Sequence, residues 1–445
     1  MGLLNINWDK KAPLEEVFGV SNKKILSYIQ RKTVDMKFIE ALNTRKHIIV
    51  FGSSKQGKTS LTNECLVEKD FVRINCSPDT TRIDIYKSIL RQLNLSFDEE
   101  RSEKIISEGT AKTVIKAKVK IPLITSFNGE LGGSGKIGKE KETKYKNIDY
   151  NLSLPQDISE ILNQIEFNRR IIIENFHYLD ENVQKQLSFD LRVFEDSNIL
   201  FIILGIWREK NRLAQFNGDL QDRVIEIPVE PWDSNDFKIV AQFGENLLNI
   251  SISNIVDEII ANSFGNIGIF QELCKEACIA AGIMHEQIYE SSTKKTISLE
   301  KKHLDIAIKK KLADYNGRHI RSIEAFAEQR SKKSKETPLF IAFYFLKYLF
   351  SIDFKLIQNG IKRSIIHEGI KNIHHRPDDV RASDISYFLH NIVSSQLKKN
   401  IIPPIFDYDR STSKLKVIDS TLYYFFRHAD IQELFTVIDD PLSAP

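Results

Sequence analysis

Cysteine is scarce in this chain: Cys65, Cys76, Cys274 and Cys278 are its four examples among 445 residues. That number excludes a disulfide-built scaffold and points to a reducing compartment. Cys274 and Cys278 lie one helical turn apart, but no second pair of ligands stands nearby at zinc-site spacing, so both are read as core residues. A dominant charge is missing as well. With 63 basic and 60 acidic residues the net charge is +3, so any affinity for nucleic acid or a membrane surface must come from local clusters. Long apolar runs are also absent. The longest, Leu339 to Ile352, contains Lys347 and is too short to span a bilayer. It reads as a buried helix opened by Thr337 and Pro338. The first residues, Met1 to Asn5, show no basic-then-apolar leader, and a cytoplasmic location without membrane partners is the expectation.

What the chain does carry is Gly52-Ser53-Ser54-Lys55-Gln56-Gly57-Lys58-Thr59, a full Gly-x4-Gly-Lys-Thr loop behind the apolar run His47 to Phe51. A strand that delivers the loop and a helix that follows it are the context a phosphate cradle requires. The glycines let backbone N–H groups turn inward, Lys58 adds a point charge, and the Thr59 hydroxyl is suited to Mg2+. Ser60 opens the helix. ATP with Mg2+ is the expected ligand.

Strand and helix signals alternate from residue 31, the pattern of a parallel α/β sheet. Further strands are expected at Phe71–Cys76, Arg170–Asn175, Ile199–Leu204 and Val224–Val229. Length suggests about three domains. We read residues 1–30 as an N-terminal arm and 31–232 as a P-loop core. A basic β-hairpin insertion interrupts the core at about 105–155, residues 233–330 form a helical lid, and 331–445 a winged-helix-like domain. The insertion carries nine lysines against three glutamates between Lys112 and Lys146, with a glycine-rich tip from Gly129 to Gly138. A second basic stretch, Lys301 to Lys335, holds eleven Lys or Arg. In the last region Ser383 is expected to cap a helix running to Gln396, followed by a hairpin around Asp409 to Ser413. That helix has no Lys or Arg before Lys398, which argues against groove binding.

A P-loop needs an acid on a neighbouring strand, either to support Mg2+ or to act as the base that activates water. Glu174, at the end of three isoleucines, is the candidate, and both roles stay open. Asn175 follows it, and because an amide cannot take a proton from water at neutral pH, slow turnover is expected.

Lys58 in its loop, Ile171 to Glu174, the fourth strand ending in Gly205-Ile206-Trp207-Arg208, and Asp219 to Val224 before a short strand together resemble the core of AAA+ ATPases. Ser27 to Arg31 resembles the segment that covers adenine in origin-recognition and STAND-type members, which implies a cofactor-binding role for Arg31. The resemblance implies that Arg208 contacts the γ-phosphate and that Arg223 reaches a neighbouring subunit's nucleotide. The lid segment Ser263 to Ile269 departs from it, with neither the lid arginine of many AAA+ proteins nor the Gly-x-Pro of many STAND lids. The expected function is an ATP-binding, slowly hydrolysing switch that oligomerises and recruits a separately encoded effector, in a setting such as bacterial antiviral defence. The alternative is a nucleic-acid-binding ATPase of origin-recognition or transposition-regulator type, using the basic insertion; a nucleotide-binding scaffold without turnover is a third reading.

Overall fold

The computed structural model describes residues 12–20, 25–106, 110–122, 145–286, 296–328, 338–430 and 434. In chain order the strands are β1 (His47–Gly52), β2 (Phe71–Asn75), β3 (Ser96–Ile106), β4 (Thr110–Pro122), β5 (Tyr145–Asn151), β6 (Arg170–Glu174), β7 (Phe201–Ile206) and β8 (Val224–Pro228). Five of them form a wholly parallel sheet in the order β2-β6-β7-β1-β8. The P-loop strand β1 is central, and β7 separates it from the acid-bearing β6. Strand alternation gives this sheet two apolar faces. Ile49 and Phe51 pack with Ile171, Ile173 and Ile203 on one side. Ile48 and Val50 pack with Ile172, Ile202 and Leu204 on the other. Helices cover both, as an all-parallel sheet requires, and each buried isoleucine contributes roughly 1.5–3 kcal/mol. The expected α/β P-loop core is present, and its five strands lie within two residues of the predicted ends.

The insertion differs from expectation. It is not a two-stranded hairpin but a three-stranded antiparallel sheet, β3-β4-β5, beginning at Ser96. Asp98 pairs with Lys118 in register, so β3 is recruited by the chain immediately after the helix Arg82–Gln92. The glycine-rich tip lies outside the described residues.

Helices Ser234–Leu248, Val256–Ser263 and Ile267–Ala280, with the short parallel pair β9 (Ile250–Ser251) and β10 (Ile297–Ser298), form the lid. The N-terminal Leu14, Val17 and Phe18 pack into the same apolar cluster as Phe237, Phe270 and Leu273. The 27-residue helix Lys301–Ala327 starts in that cluster through Leu304 and Ala307 and ends in the C-terminal one through Ile323 and Phe326. Its lysines do not form a free basic face. Lys301 pairs with Glu258, Lys310 with Glu276, and Lys311 with Glu272 and Asp314.

The C-terminal part runs helix Ile341–Ser351, helix Phe354–Asn359, β11 (Ile361–Lys362), helix Arg363–Ile373, helices Ala382–His390 and Ile392–Lys398, then the hairpin β12 (Phe406–Asp409) and β13 (Lys414–Val417). The three strands pair in the order β11-β13-β12. The single helix expected from Ser383 to Gln396 is broken at Asn391. Ser383 is not its cap: Arg381 holds that position, and Asp384 accepts from the Arg381 N–H at 3.2 Å. The helix Ser420–His428 returns from this unit to the P-loop.

Candidate nucleotide site

The loop between β1 and the helix Lys58–Cys65 has the backbone of a phosphate cradle. Gly57 takes φ 82° at the helix N-cap, and Lys55 is left-handed at φ 57°. A side chain at Gly52 would meet a Val229 methyl at 2.7 Å. These constraints explain why the two glycines stand where they do. Lys58 Nζ folds back onto the carbonyls of Gly52 (3.0 Å) and Ser53 (2.6 Å). Enclosure lowers its pKa to about 8, with Glu230 and Glu174 opposing. Thr59 Oγ1 donates to Glu174 Oε2 at 3.2 Å, which brings the loop hydroxyl and the acid at the end of β6 side by side. Hard oxygen donors of this kind suit Mg2+, which would neutralise phosphate charge there; Thr59 and Glu174 would be the residues to hold it.

Glu174 also receives Arg73 at 2.5 Å, and Arg73 is tied to Thr62 Oγ1 and Asn63 Oδ1. Burial raises the Glu174 pKa, and Arg73 and Thr59 only partly offset it. Asn175 is left-handed at φ 59°, a conformation asparagine tolerates. A cavity of about 240 Å³ is lined by Gln56 to Ser60, Asn175 and His177. It meets a cleft of about 740 Å³ along Thr59, Glu174 and Asn175. Val20 and Ile25 of the arm and Ile267 of the lid add apolar side chains to the lining of the smaller cavity.

Arg31 is not part of that lining. Its guanidinium stacks 3.7 Å over Trp232 and donates to the Val229 carbonyl at 2.8 Å, which removes it from the pocket. Arg208 does reach the loop, but through a carboxylate. Its Nε and NH2 meet Glu230 at 2.9 and 3.1 Å, and Glu230 in turn accepts from the Ser53 N–H, Ser53 Oγ and Gln56 Nε2, each at 3.0 Å. Burial pushes the Glu230 carboxyl up, yet Arg208 and Ser53 bring it below the usual range. Arg223 sits at the opposite end of the sheet, before the first residue of β8, and is paired with Glu195 and with Asp196 at 2.9 Å.

The loop is held from two further sides. Gly268 N–H donates to the Lys55 carbonyl at 3.0 Å, and Gln56 Nε2 reaches the Gly265 carbonyl at 3.2 Å, both from the lid. Ser54 N–H donates to the Ile418 carbonyl at 3.0 Å, and Ser54 Oγ to Asp419 at 3.3 Å, both from the C-terminal unit. Asn266 Nδ2 bridges the Ser54 carbonyl and Ser420 Oγ at 2.7 and 2.8 Å. Sequence reasoning missed Arg73, Glu230, Asp419 and Ser420. Glu230 was findable as an acid directly behind the fifth strand; the other three needed the tertiary arrangement.

Cys274 and Cys278 are buried and free, and no cluster able to hold a metal through His, Cys or acids occurs among the described residues. No helix among them is long and apolar enough to cross a membrane. No protein-family model matches the chain, and no curated protein does. Among solved structures it is similar to a Walker-type ATPase of Pyrococcus abyssi (15% identity, 90% of this chain and 99% of that one, TM-score 0.46). It is also similar to the Aeropyrum pernix ORC2 protein (12%, 92% and 92%, 0.43) and to Cdc6p of Pyrobaculum aerophilum (13%, 96% and 99%, 0.40). Similarity at these values bears on neither activity nor partners; the P-loop, the parallel sheet around it and the clasp on Ser54 carry the reading.

Proposed function

We propose that this chain is an ATP-binding, Mg2+-dependent P-loop ATPase working as a nucleotide-controlled switch, in the manner of AAA+ proteins. The observation that carries it is the clasp on the loop: the C-terminal unit takes the Ser54 N–H, a backbone donor of the kind a phosphate cradle offers its ligand, while the lid holds the Lys55 and Ser54 carbonyls of the same loop. Filling the cradle is then in competition with that docking. Lys58 and Thr59 would hold the nucleotide, and Glu174 would support the metal or activate water. Oligomerisation through Arg223, and recruitment of a separate effector, belong to the same reading; Arg223 would have to leave Glu195 and Asp196 to reach a neighbour. The test is phosphate release and nucleotide binding by wild type, Lys58→Ala and Glu174→Gln. Binding lost in the first variant and turnover alone lost in the second supports an ATPase; turnover equal in all three refutes it.

A nucleic-acid-binding role has one supporting feature, the exposed Lys116, Lys118 and Lys120 alternating along β4. Asp98 and Asp149 flank Lys118 in register, which weakens that stripe as a phosphate-binding surface. Binding that weakens steeply with salt would favour this role over the switch alone.

A further inference from the structure

Beyond Asn175 the chain makes a single 3-10 turn, Phe176–Tyr178, that sets the His177 imidazole against the cavity lined by Lys58, Thr59 and Asn175. His177 is 4% exposed, and among the described residues neither Nδ1 nor Nε2 has a hydrogen-bond partner. Its ring lies tilted on Tyr178, with centroids 4.1 Å apart, which fixes its position. A buried histidine kept for packing normally satisfies at least one nitrogen, as His47 does with the Leu191 carbonyl and the Phe201 N–H. Two unused nitrogens beside a phosphate loop mark a group that a ligand completes. Burial, reinforced by Lys58 and Arg212, lowers the His177 pKa to about 3. The neutral ring presents one N–H donor and one lone pair at physiological pH.

We propose that His177 contacts the γ-phosphate end of the nucleotide, donating its ring N–H to a phosphate oxygen while the other nitrogen accepts from the attacking water. The proposal rests on the ATPase reading above. In the step it serves, the water oxygen bonds to the γ-phosphorus as the bond to the bridging oxygen breaks; the products are ADP and inorganic phosphate, which keeps the water's protons. His177 orients and does not take the proton, in keeping with its low basicity.

The test compares binding of fluorescent ADP and of a fluorescent nonhydrolysable ATP analogue, each with Mg2+, to wild type, His177→Ala, His177→Gln and Lys58→Ala. Thermal melting identifies which variants are folded. His177→Ala is expected to lose about tenfold in affinity for the triphosphate, the effect of one hydrogen bond to a charged oxygen, with ADP affinity within about twofold. His177→Gln, which keeps a donor and an acceptor, should recover part of that loss and part of the turnover. Equal weakening of both nucleotides, or no change in either, in a folded variant would overturn the contact while leaving the ATPase reading intact. Wild type that binds neither nucleotide, like Lys58→Ala, would overturn both.

Discussion

The Ser54 N–H, inside the P-loop, donates to the Ile418 carbonyl at 3.0 Å, across 364 positions of sequence. Around this bond the Ser54 hydroxyl meets Asp419, and Ser420 Oγ lies 3.4 Å from the Ser54 carbonyl. Asp419 is wholly enclosed, caps the helix Ser420–His428 through the Thr421 N–H and pairs with Arg318 at 2.5 Å. One short turn thus joins a phosphate loop, the long helix Lys301–Ala327 and the C-terminal unit.

Asp419→Ala should be costly. It removes a cap and leaves Arg318 without its partner, an expected loss of roughly 3 kcal/mol in urea unfolding. A loss below about 1 kcal/mol would mean the turn is peripheral. The acid dependence follows from the direction of the shift. Burial raises the Asp419 carboxyl but Arg318 brings it below the ordinary carboxylate value, so its contribution is complete above about pH 4 and fades as the pH falls through the depressed value. Asp409, brought down to about 2 by Lys416 and Ser411 against the effect of burial, acts in the same window. Asp419→Asn should flatten the stability fall below about pH 4.

Arg208 and Glu230 form a part-buried pair whose members are tied to different partners. Arg208→Ala leaves Glu230 without its counter-charge beside Ser53 and Gln56, and should cost about 3 kcal/mol of stability without nucleotide. The double variant with Glu230→Ala should recover a measurable part of that cost, giving a coupling of at least about 1 kcal/mol in a double-mutant cycle. Strict additivity would contradict the pairing.

Nucleotide affinity should be sensitive to alkaline pH earlier than an ordinary lysine allows. The protonated Lys58 attracts phosphate, and its lowered pKa of about 8 means that charge is lost as pH rises through 8 rather than near 10.4. Affinity for the triphosphate should therefore decline between pH 8 and 9.5, by up to about tenfold per unit. A flat response through pH 9.5 would show that the folded-back Lys58 is not the state from which binding starts.

Legibility followed the range of the interactions. The core strands and lid helices were readable because their apolar spacing is local, and Thr59 with Glu174 because both follow from one loop and one strand end. Arg31 and Arg208 were assigned to nucleotide by position, yet their guanidinium groups are engaged by Trp232 and Glu230, partners about 200 and 22 positions away. The insertion was read as two strands because β3 is dominated by charged residues, three of them Glu, with no apolar alternation to mark it. The Ser54 clasp has no local signal: a serine two places after Gly52 and a Val-Ile-Asp-Ser segment are unremarkable until folding brings them together.

Hydrogen exchange over residues 415–428, with and without a nonhydrolysable ATP analogue and Mg2+, tests the competition between cradle filling and docking most directly. The account predicts faster exchange of that segment on adding nucleotide to wild type and no change in Lys58→Ala. Nucleotide that binds wild type yet leaves the segment unchanged, or protects it further, would contradict the switch.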